Sequence, residues 1–176
     1  MKNIWVISDT HFDHANILKF ADDAGNLIRG ARFTSVDEMN EHMIDRWNSV
    51  VKPGDKVYHL GDVVFGDKEG WMKRHWNRLN GRKRLVVGNH DNIKLMSSGG
   101  WFDKVELWRM FPEFGLLLTH VPVHASTLGE HRFDGQLMRN VHGHIHQNPS
   151  PAGNYRCVCV EQTDYTPVNI EDLRIA

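Results

Sequence analysis

Apolar side chains recur along the first half of the chain with two periods, one typical of strands and one typical of helices. Short, nearly continuous apolar runs that predict buried parallel strands occur at 2–8, 55–60 and 84–87. Residues 36–50 carry apolar side chains every three or four positions, which predicts an amphipathic helix. Ser35 and Glu38 form a capping-box pattern at its start, and residues 68–79 predict a second helix. The alternation of strands and helices indicates an α/β fold.

Strand patterns in the second half of the chain are shorter and more varied. Residues 105–110 alternate apolar and polar side chains and predict one strand with a single buried face. A turn is predicted at 112–115, and the apolar residues 116–119 predict the returning strand. Further strand material is predicted at 141–146, 156–160 and 168–170. Because no linker, repeat or low-complexity segment interrupts these patterns, the whole chain, 1–176, is predicted to be one domain.

Composition narrows the classes of function. The 176 residues carry a formal charge of −1, which gives no sign of a nucleic-acid or membrane partner. A basic cluster at 73–84 ends at the sheet edge opposite the predicted site and is interpreted as a solvated surface. Cys157 and Cys159 lie two positions apart in a predicted strand, where they are poorly placed to form a disulfide. Reduced thiols, and an apolar run at 4–7 too short for a signal peptide or membrane span, predict a cytoplasmic protein.

The chain carries 12 histidines, and several of them follow predicted strands together with acids and one amide. At the exit of the first strand, Asp9 and His11 occupy positions i and i+2, which project to the same side of an extended segment. A carboxylate and an imidazole suit a divalent transition metal, although an ordinary turn with a surface histidine is the alternative. Similar groups recur at later strand ends, and the candidate ligands are Asp9, His11, Asp62, Asn89, His120, His144 and His146.

Seven oxygen and imidazole donors without a thiolate are too many for one tetrahedral zinc ion. They fit two cations about 3.5–4 Å apart that share the carboxylate of Asp62, and such pairs bind phosphoryl oxygens and activate water. In the Gly-Asn-His-Asp sequence at 88–91, Asn89 would be a ligand while the imidazole of His90 stays free to move a proton. Weaker candidates for contacts to the substrate or to the ligands are His14, Asp91 and His142.

Five motifs in this order resemble those of calcineurin-like metallophosphoesterases, in particular the small bacterial and phage members: Asp9-Thr10-His11, Gly61-Asp62, Gly88-Asn89-His90-Asp91, His120 and Gly143-His144-Ile145-His146. The resemblance implies a four-layer αββα sandwich, in which two mixed β-sheets are flanked by helices. It implies one metal ion on Asp9, His11, Asp62 and His146, and a second on Asp62, Asn89, His120 and His144. It also implies that His90 protonates the leaving group.

One departure from the family pattern bears on the substrate. Protein Ser/Thr phosphatases of this superfamily continue the second motif with an acid and an arginine, and the matching positions here hold Phe65 and Gly66. The arginine would clamp a phosphate dianion, so its absence disfavours a protein phosphatase, whereas a diester with one charge fewer loses less. The acid would orient His90, which is therefore predicted to be held by a group that the sequence does not identify.

The sequence therefore predicts a hydrolase of phosphodiesters or small phosphomonoesters, nucleotides included, in which hydroxide activated by two divalent metal ions attacks phosphorus. Manganese is the first choice of metal, and iron, nickel, cobalt and zinc are alternatives because the same ligands accept them. The alternative functions are a silent protein-interaction module on the same fold and a nuclease, which usually carries extra DNA-binding parts. The chain is predicted to be a monomer or a homodimer. Substrate choice is expected to depend on the loops at 12–34, 63–70 and 121–139, the last of which holds His124 and His131.

Overall fold

The computed structural model describes residues 2–129 and 138–175, and His131 with the centre of the loop at 121–139 lies outside the described residues. The strands are β1 (Ile4–Ile7), β2 (Lys56–His59), β3 (Arg82–Val86), β4 (Lys104–Glu106), β5 (Arg109–Phe111), β6 (Leu116–Leu118), β7 (Arg139–His142), β8 (Tyr155–Cys157) and β9 (Val168–Asn169). The α-helices are α1 (Val36–Val50), α2 (Lys68–His75) and α3 (Ile93–Ser98). Short 3-10 helices occur at Ala15–Lys19, Trp76–Arg78, Pro112–Phe114, Ala125–Leu128, Val160–Gln162 and Ile170–Leu173.

The strands form two mixed sheets. The first sheet has the order β4-β3-β2-β1-β9, with β1 to β4 parallel and β9 antiparallel to β1. The second has the order β5-β6-β7-β8, with β6 to β8 parallel and β5 antiparallel to β6. In each sheet the carboxyl ends of the parallel strands therefore meet at one edge, which is where open α/β sheets place their ligands.

Two apolar clusters hold these layers together. One cluster joins the sheets to each other through buried residues such as Val6 and Val86 from the first sheet and Leu118 and Val141 from the second. The other cluster joins the first sheet to the helices and includes buried residues of α1 and α2, among them Trp47. Over the described residues, the outer face of the second sheet is covered by the 3-10 helix at Ala125–Leu128. The predicted fold of two mixed sheets flanked by helices is confirmed.

The start of α1 shows how closely the local sequence specifies this arrangement. The hydroxyl of Ser35 accepts a hydrogen bond from the backbone N–H of Glu38 at 3.1 Å, as a capping box requires. A capping box would pair the carboxylate of Glu38 with the backbone N–H of Ser35. Here it instead accepts hydrogen bonds from the N–H and hydroxyl of the preceding residue, Thr34, both at 2.8 Å. The helix then buries Met39, Met43 and Trp47 against the sheet, as the helical period predicts.

The prediction of a single strand at 105–110 is wrong. This segment contains the end of β4, which pairs with β3 in the first sheet, and the start of β5, which pairs with β6 in the second. Leu107 and Trp108 connect the two sheets and are 66% and 61% exposed. The alternation of apolar and polar side chains breaks at the crossing, where Leu107 and Trp108 are both apolar, and it resumes in the opposite phase in β5.

Two further expectations concern the whole chain. Cys157 and Cys159 are buried free thiols, as their spacing in the sequence predicts. Within 2–129 and 138–175, the structure contains no helix that is both long enough and apolar enough to cross a membrane.

Candidate metal centre

The first group of predicted ligands lies where β1 ends. Ligand atoms of Asp9, His11 and His146 all lie within 4.8 Å of one another. The Oδ1 atom of Asp9 is 3.7 Å from Nε2 of His11 and 3.9 Å from Nε2 of His146. These distances are too long for hydrogen bonds, but they suit ligands of one cation, because bonds of about 2.1 Å in a tetrahedron separate the donor atoms by about 3.4 Å.

The second group lies where β2, β6 and β7 end, and it includes Asp62, His120 and His144. Nε2 of His120 lies 3.6 Å from Oδ2 of Asp62. The amide oxygen of Asn89 joins the group at 2.8 Å from Nε2 of His120 and 3.0 Å from Nδ1 of His144. Because Asp62 Oδ2 is also 3.6 Å from Nε2 of His11, the two groups meet at this carboxylate.

Hydrogen bonding around His120 favours a cation in the second group. Nδ1 of His120 lies 2.7 Å from the carbonyl oxygen of Leu60, to which only a protonated Nδ1 can donate. In the neutral ring Nε2 then carries a lone pair, and it faces the amide oxygen of Asn89, which is also an acceptor. Two acceptors at this distance repel each other unless one cation binds both as neighbouring ligands.

The first group shows the same need for a cation. Among the described residues, Oδ1 of Asp9 and both ring nitrogens of His11 are buried without a hydrogen-bond partner. Buried polar atoms without partners are rare because each costs about 1–3 kcal/mol. Carboxylate, imidazole and amide donors fit divalent manganese, iron, cobalt, nickel or zinc. The residues present therefore fit a two-ion centre, although their roles as ligands remain a prediction.

Hydrogen bonds hold one carboxylate oxygen of Asp9 and leave the other available to a cation. Its Oδ2 atom accepts hydrogen bonds from the hydroxyl of Ser8 at 2.6 Å and from the backbone N–H of His144 at 2.8 Å. The thiol of Cys159 donates to the same oxygen at 3.2 Å, and burial raises the pKa of this thiol, so it keeps its proton. Burial alone would also raise the pKa of Asp9, but attraction to His11 and the other nearby imidazoles lowers it overall. Asp9 therefore stays ionised, with Oδ1 directed at the cation position.

The backbone at the site is not extended, contrary to the sequence prediction. Five of the seven predicted ligands have positive φ angles: 57° at Asp9, 47° at His11, 56° at Asp62, 72° at His144 and 52° at His146. Such conformations cost on the order of 1–3 kcal/mol each at non-glycine residues and cluster at functional sites. The extended backbone assumed for both i, i+2 pairs is therefore wrong, although Asp9 and His11 do meet in one group as predicted. His144 and His146 turn to different groups, as the family resemblance implies.

Two glycines allow the strand ends to approach each other. A Cβ atom at Gly88 would lie 2.2 Å from Oδ1 of Asp62, and one at Gly143 would lie 2.2 Å from Oδ2 of Asp9. Real atoms do not come this close, so any side chain at either position would displace a predicted ligand. Gly88 thus lets the ends of β2 and β3 approach each other within the first sheet, and Gly143, after β7, lets the second sheet approach the end of β1 in the first.

His90 lies beside both groups without joining either, as predicted for a residue that moves a proton. Its backbone N–H donates to Oδ1 of Asp62 at 2.9 Å, and its carbonyl oxygen accepts from Nζ of Lys68 at 2.6 Å. Its exposed ring packs against Phe65, with ring centroids 4.8 Å apart. Phe65 therefore contacts the ring of His90, and Lys68 holds its backbone carbonyl.

The three weaker candidates have different surroundings. The carboxylate of Asp91 accepts from the backbone N–H groups of Asp62, Val63 and Gly88, so it fixes the loop after β2 and is not a ligand. The ring of His142 is buried, lies within hydrogen-bond distance of the carbonyl oxygen of Gly143 and the hydroxyl of Ser150, and belongs to neither group. The ring of His14 stacks on Phe65 at 4.0 Å, close to His11 but outside its group. Burial lowers the pKa of His14 to about 4, so this ring is neutral near pH 7.

Sequence reasoning missed a buried ion pair behind the first group. Oε1 of Glu161 lies 2.9 Å from Nδ1 of His146 and 2.7 Å from Nη2 of Arg29. The Arg29 guanidinium is fully buried and also donates to the backbone carbonyls of Asp9 and Thr10 at 2.6 and 2.8 Å. A carboxylate that holds one ring nitrogen of a histidine directs the other nitrogen at a metal and makes it more basic.

We expect Glu161→Gln to weaken binding of one metal ion by about 10- to 100-fold, because the charged partner of His146 is lost. The second group contains no residue bonded to Glu161, so its ion should stay. Titration of the metal-free protein with Mn²⁺ against a competing chelator measures both affinities. Asp164→Asn is the matched control, since it removes an exposed carboxylate three residues away. Unchanged affinity at both positions in a folded variant would contradict this role of Glu161.

His59 also contributes more than the sequence indicated. Its Nδ1 accepts from the backbone N–H of Gly61 at 3.2 Å, and its Nε2 lies 2.9 Å from the hydroxyl of Thr10. That hydroxyl donates to the carbonyl of Val63 at 2.8 Å, so it accepts from His59, which then carries its proton on Nε2. Burial lowers the pKa of His59 to about 3, and the neutral ring links the loops that follow β1 and β2.

Comparisons with known proteins agree with this fold. A model of the calcineurin-like phosphoesterase family matches residues 2–158, and the chain belongs to that family. The chain is 34% identical to the uncharacterized protein MJ1445 of Methanocaldococcus jannaschii, over 97% of this chain and 89% of that protein. It is 28% identical to the gene 66 protein of Mycobacterium phage L5, over 83% of this chain and 78% of that protein. A crystal structure of a protein of unknown function from Aquifex aeolicus, AQ665, superposes with a TM-score of 0.73 at 27% identity, covering 98% of both chains.

Proposed function

We propose that the protein is a metal-dependent phosphoesterase that hydrolyses phosphodiesters or small phosphomonoesters, with two divalent cations, manganese first among them. The observation that carries the proposal is the meeting of two donor groups at the carboxylate of Asp62, with His90 beside them. Cations at these positions would neutralise phosphoryl oxygens and activate water. Family membership supports a phosphoester as the substrate.

In this proposal the protein's own residues divide the work between them. Asp62 contributes to both donor groups; Asp9, His11 and His146 complete the first, and Asn89, His120 and His144 complete the second. His90 is in neither group, and its exposed ring is available to protonate the oxygen of the leaving group. Its backbone contacts with Asp62 and Lys68 hold it beside the reacting phosphorus.

A diester is favoured over a monoester by the loop after β2. Gly66 stands where related phosphatases carry an arginine, and the nearby Lys68 ammonium is hydrogen-bonded to the carbonyl of His90. A phosphate dianion would therefore lack the bidentate partner that an arginine supplies, whereas a diester monoanion has less charge to neutralise. We propose that the enzyme acts in the cytoplasm, where Cys157 and Cys159 remain thiols.

The direct test is hydrolysis of bis-para-nitrophenyl phosphate and of para-nitrophenyl phosphate by the Mn²⁺-loaded protein. We expect turnover of the diester with the higher kcat/KM, and loss of that activity when a chelator removes the metal. Protein that binds two ions yet leaves both substrates and a wider set of phosphate esters intact would instead be the silent interaction module.

A further inference from the structure

A groove of about 640 Å³ begins at the second donor group and runs between the ends of the two sheets. Asn89 and His120 belong to both the groove and the donor group. The other walls come from the exit of β3, from the crossing between the sheets at Leu107 and Trp108, and from the chain after β6. A phosphoester bound at the donor groups would therefore have this groove open beside its phosphorus.

The chemistry of the groove differs from that of the donor groups. No aspartate, glutamate, lysine or arginine occurs among its described lining residues. Eight large apolar side chains are exposed in the described parts of the chain, and four of them line this groove: Leu107, Trp108, Met110 and Val121. Exposed apolar groups gathered in one concave surface mark a binding site more often than scattered ones do.

We propose that this surface, the Trp108 groove, binds an uncharged apolar group of the substrate, either an aryl ring or an alkyl chain, esterified to the phosphate. This inference rests on the proposed phosphoesterase function and names the class of its substrate. The volume is within the range of small-ligand sites, about 300–1,000 Å³. Trp108, 61% exposed, offers a flat aromatic face to such a group, and a second phosphate or another charged group would find no ion-pair partner among the described lining residues.

The test uses phosphonates because each carries a single organic arm and none is hydrolysed. Binding of methyl-, hexyl- and phenylphosphonate to the Mn²⁺-loaded protein is measured by calorimetry. We expect hexyl- or phenylphosphonate to bind about 10- to 100-fold more tightly than methylphosphonate, as expected for burying several carbons in an apolar site. The better of the two larger probes shows whether the natural group is alkyl or aryl.

Variants of the groove make the assignment specific. Trp108→Ala should remove most of the preference for the larger probes while leaving methylphosphonate binding unchanged, and Trp108→Phe should retain it. Ile175→Ala is the control, because it removes another exposed apolar side chain. Ile175 lies beside Arg174, which donates a hydrogen bond to the carbonyl oxygen of Glu113, just before β6 begins. Equal affinities for all three phosphonates, or a preference that persists in Trp108→Ala, would overturn the proposal.

The same experiments distinguish two further outcomes, a failure of the proposed reaction alone and occupation of the Trp108 groove by a second copy of the chain. If the diester assay fails but phenylphosphonate still binds through Trp108, the groove is a ligand site and only the proposed reaction is wrong. If sedimentation shows a dimer that Trp108→Ala converts to monomers, and the phosphonates bind with equal affinity, a second copy of the chain occupies the groove and the proposal fails.

Discussion

Replacing His90 with Asn should slow hydrolysis of diesters with poor leaving groups by about 10²- to 10⁴-fold, the usual contribution of a general acid. An alkoxide leaving group needs a proton as its bond to phosphorus breaks, whereas para-nitrophenolate leaves readily without one. The effect should therefore be much smaller for para-nitrophenyl esters. Measuring kcat for esters of graded leaving-group pKa, in wild type and variant, gives the dependence directly.

The His90 variant should bind metal normally, because His90 belongs to neither donor group. His75→Asn is a suitable control, since it removes a histidine that packs on Trp71 in α2, outside both groups. Equal slowing of good and poor leaving groups would assign His90 to phosphate binding, and an unchanged rate on alkyl esters would remove it from the mechanism.

Local patterns in the sequence predict the elements of the first sheet and its helices well, because each pattern lies within one element. The period of α1 and the cap at Ser35 are visible in the residues themselves. The segment 105–110 shows the limit of this reasoning, since six residues belong to two strands in two sheets. The adjacent apolar residues Leu107 and Trp108 mark a break in the alternation, but only the pairing partners show which sheet each strand joins.

The candidate site shows the same division between local and long-range information. Motif spacing brought out the seven donors, but it placed the pairs Asp9/His11 and His144/His146 on extended backbone, whereas all four residues have positive φ angles. The pairing of Arg29 with Glu161 joins residues 132 positions apart, each in a segment without a distinctive pattern. The fold shows that Arg29 is fully buried, whereas the sequence alone shows only one charged residue in a predicted loop.

Asp62 is the residue whose loss should be most damaging, because its carboxylate is the point where the two donor groups meet. Its Oδ2 lies 3.6 Å from Nε2 of both His11 and His120, and its Oδ1 accepts from the N–H of His90. In Asp62→Asn one oxygen becomes an NH₂ group, which cannot bind a cation, and the shared negative charge is lost. Each group then lacks one donor.

We therefore expect Asp62→Asn to bind at most one ion instead of two and to lose about 10³-fold or more in kcat/KM, since a metal ion contributes several kcal/mol to such reactions. Elemental analysis after dialysis measures the metal content independently of activity. Asp67→Asn is the matched control, because Asp67 caps α2 at Gly70 and asparagine caps helices equally well. A folded Asp62→Asn protein that kept both ions would show that this carboxylate does not bridge them, and the two groups would then have to bind their cations independently.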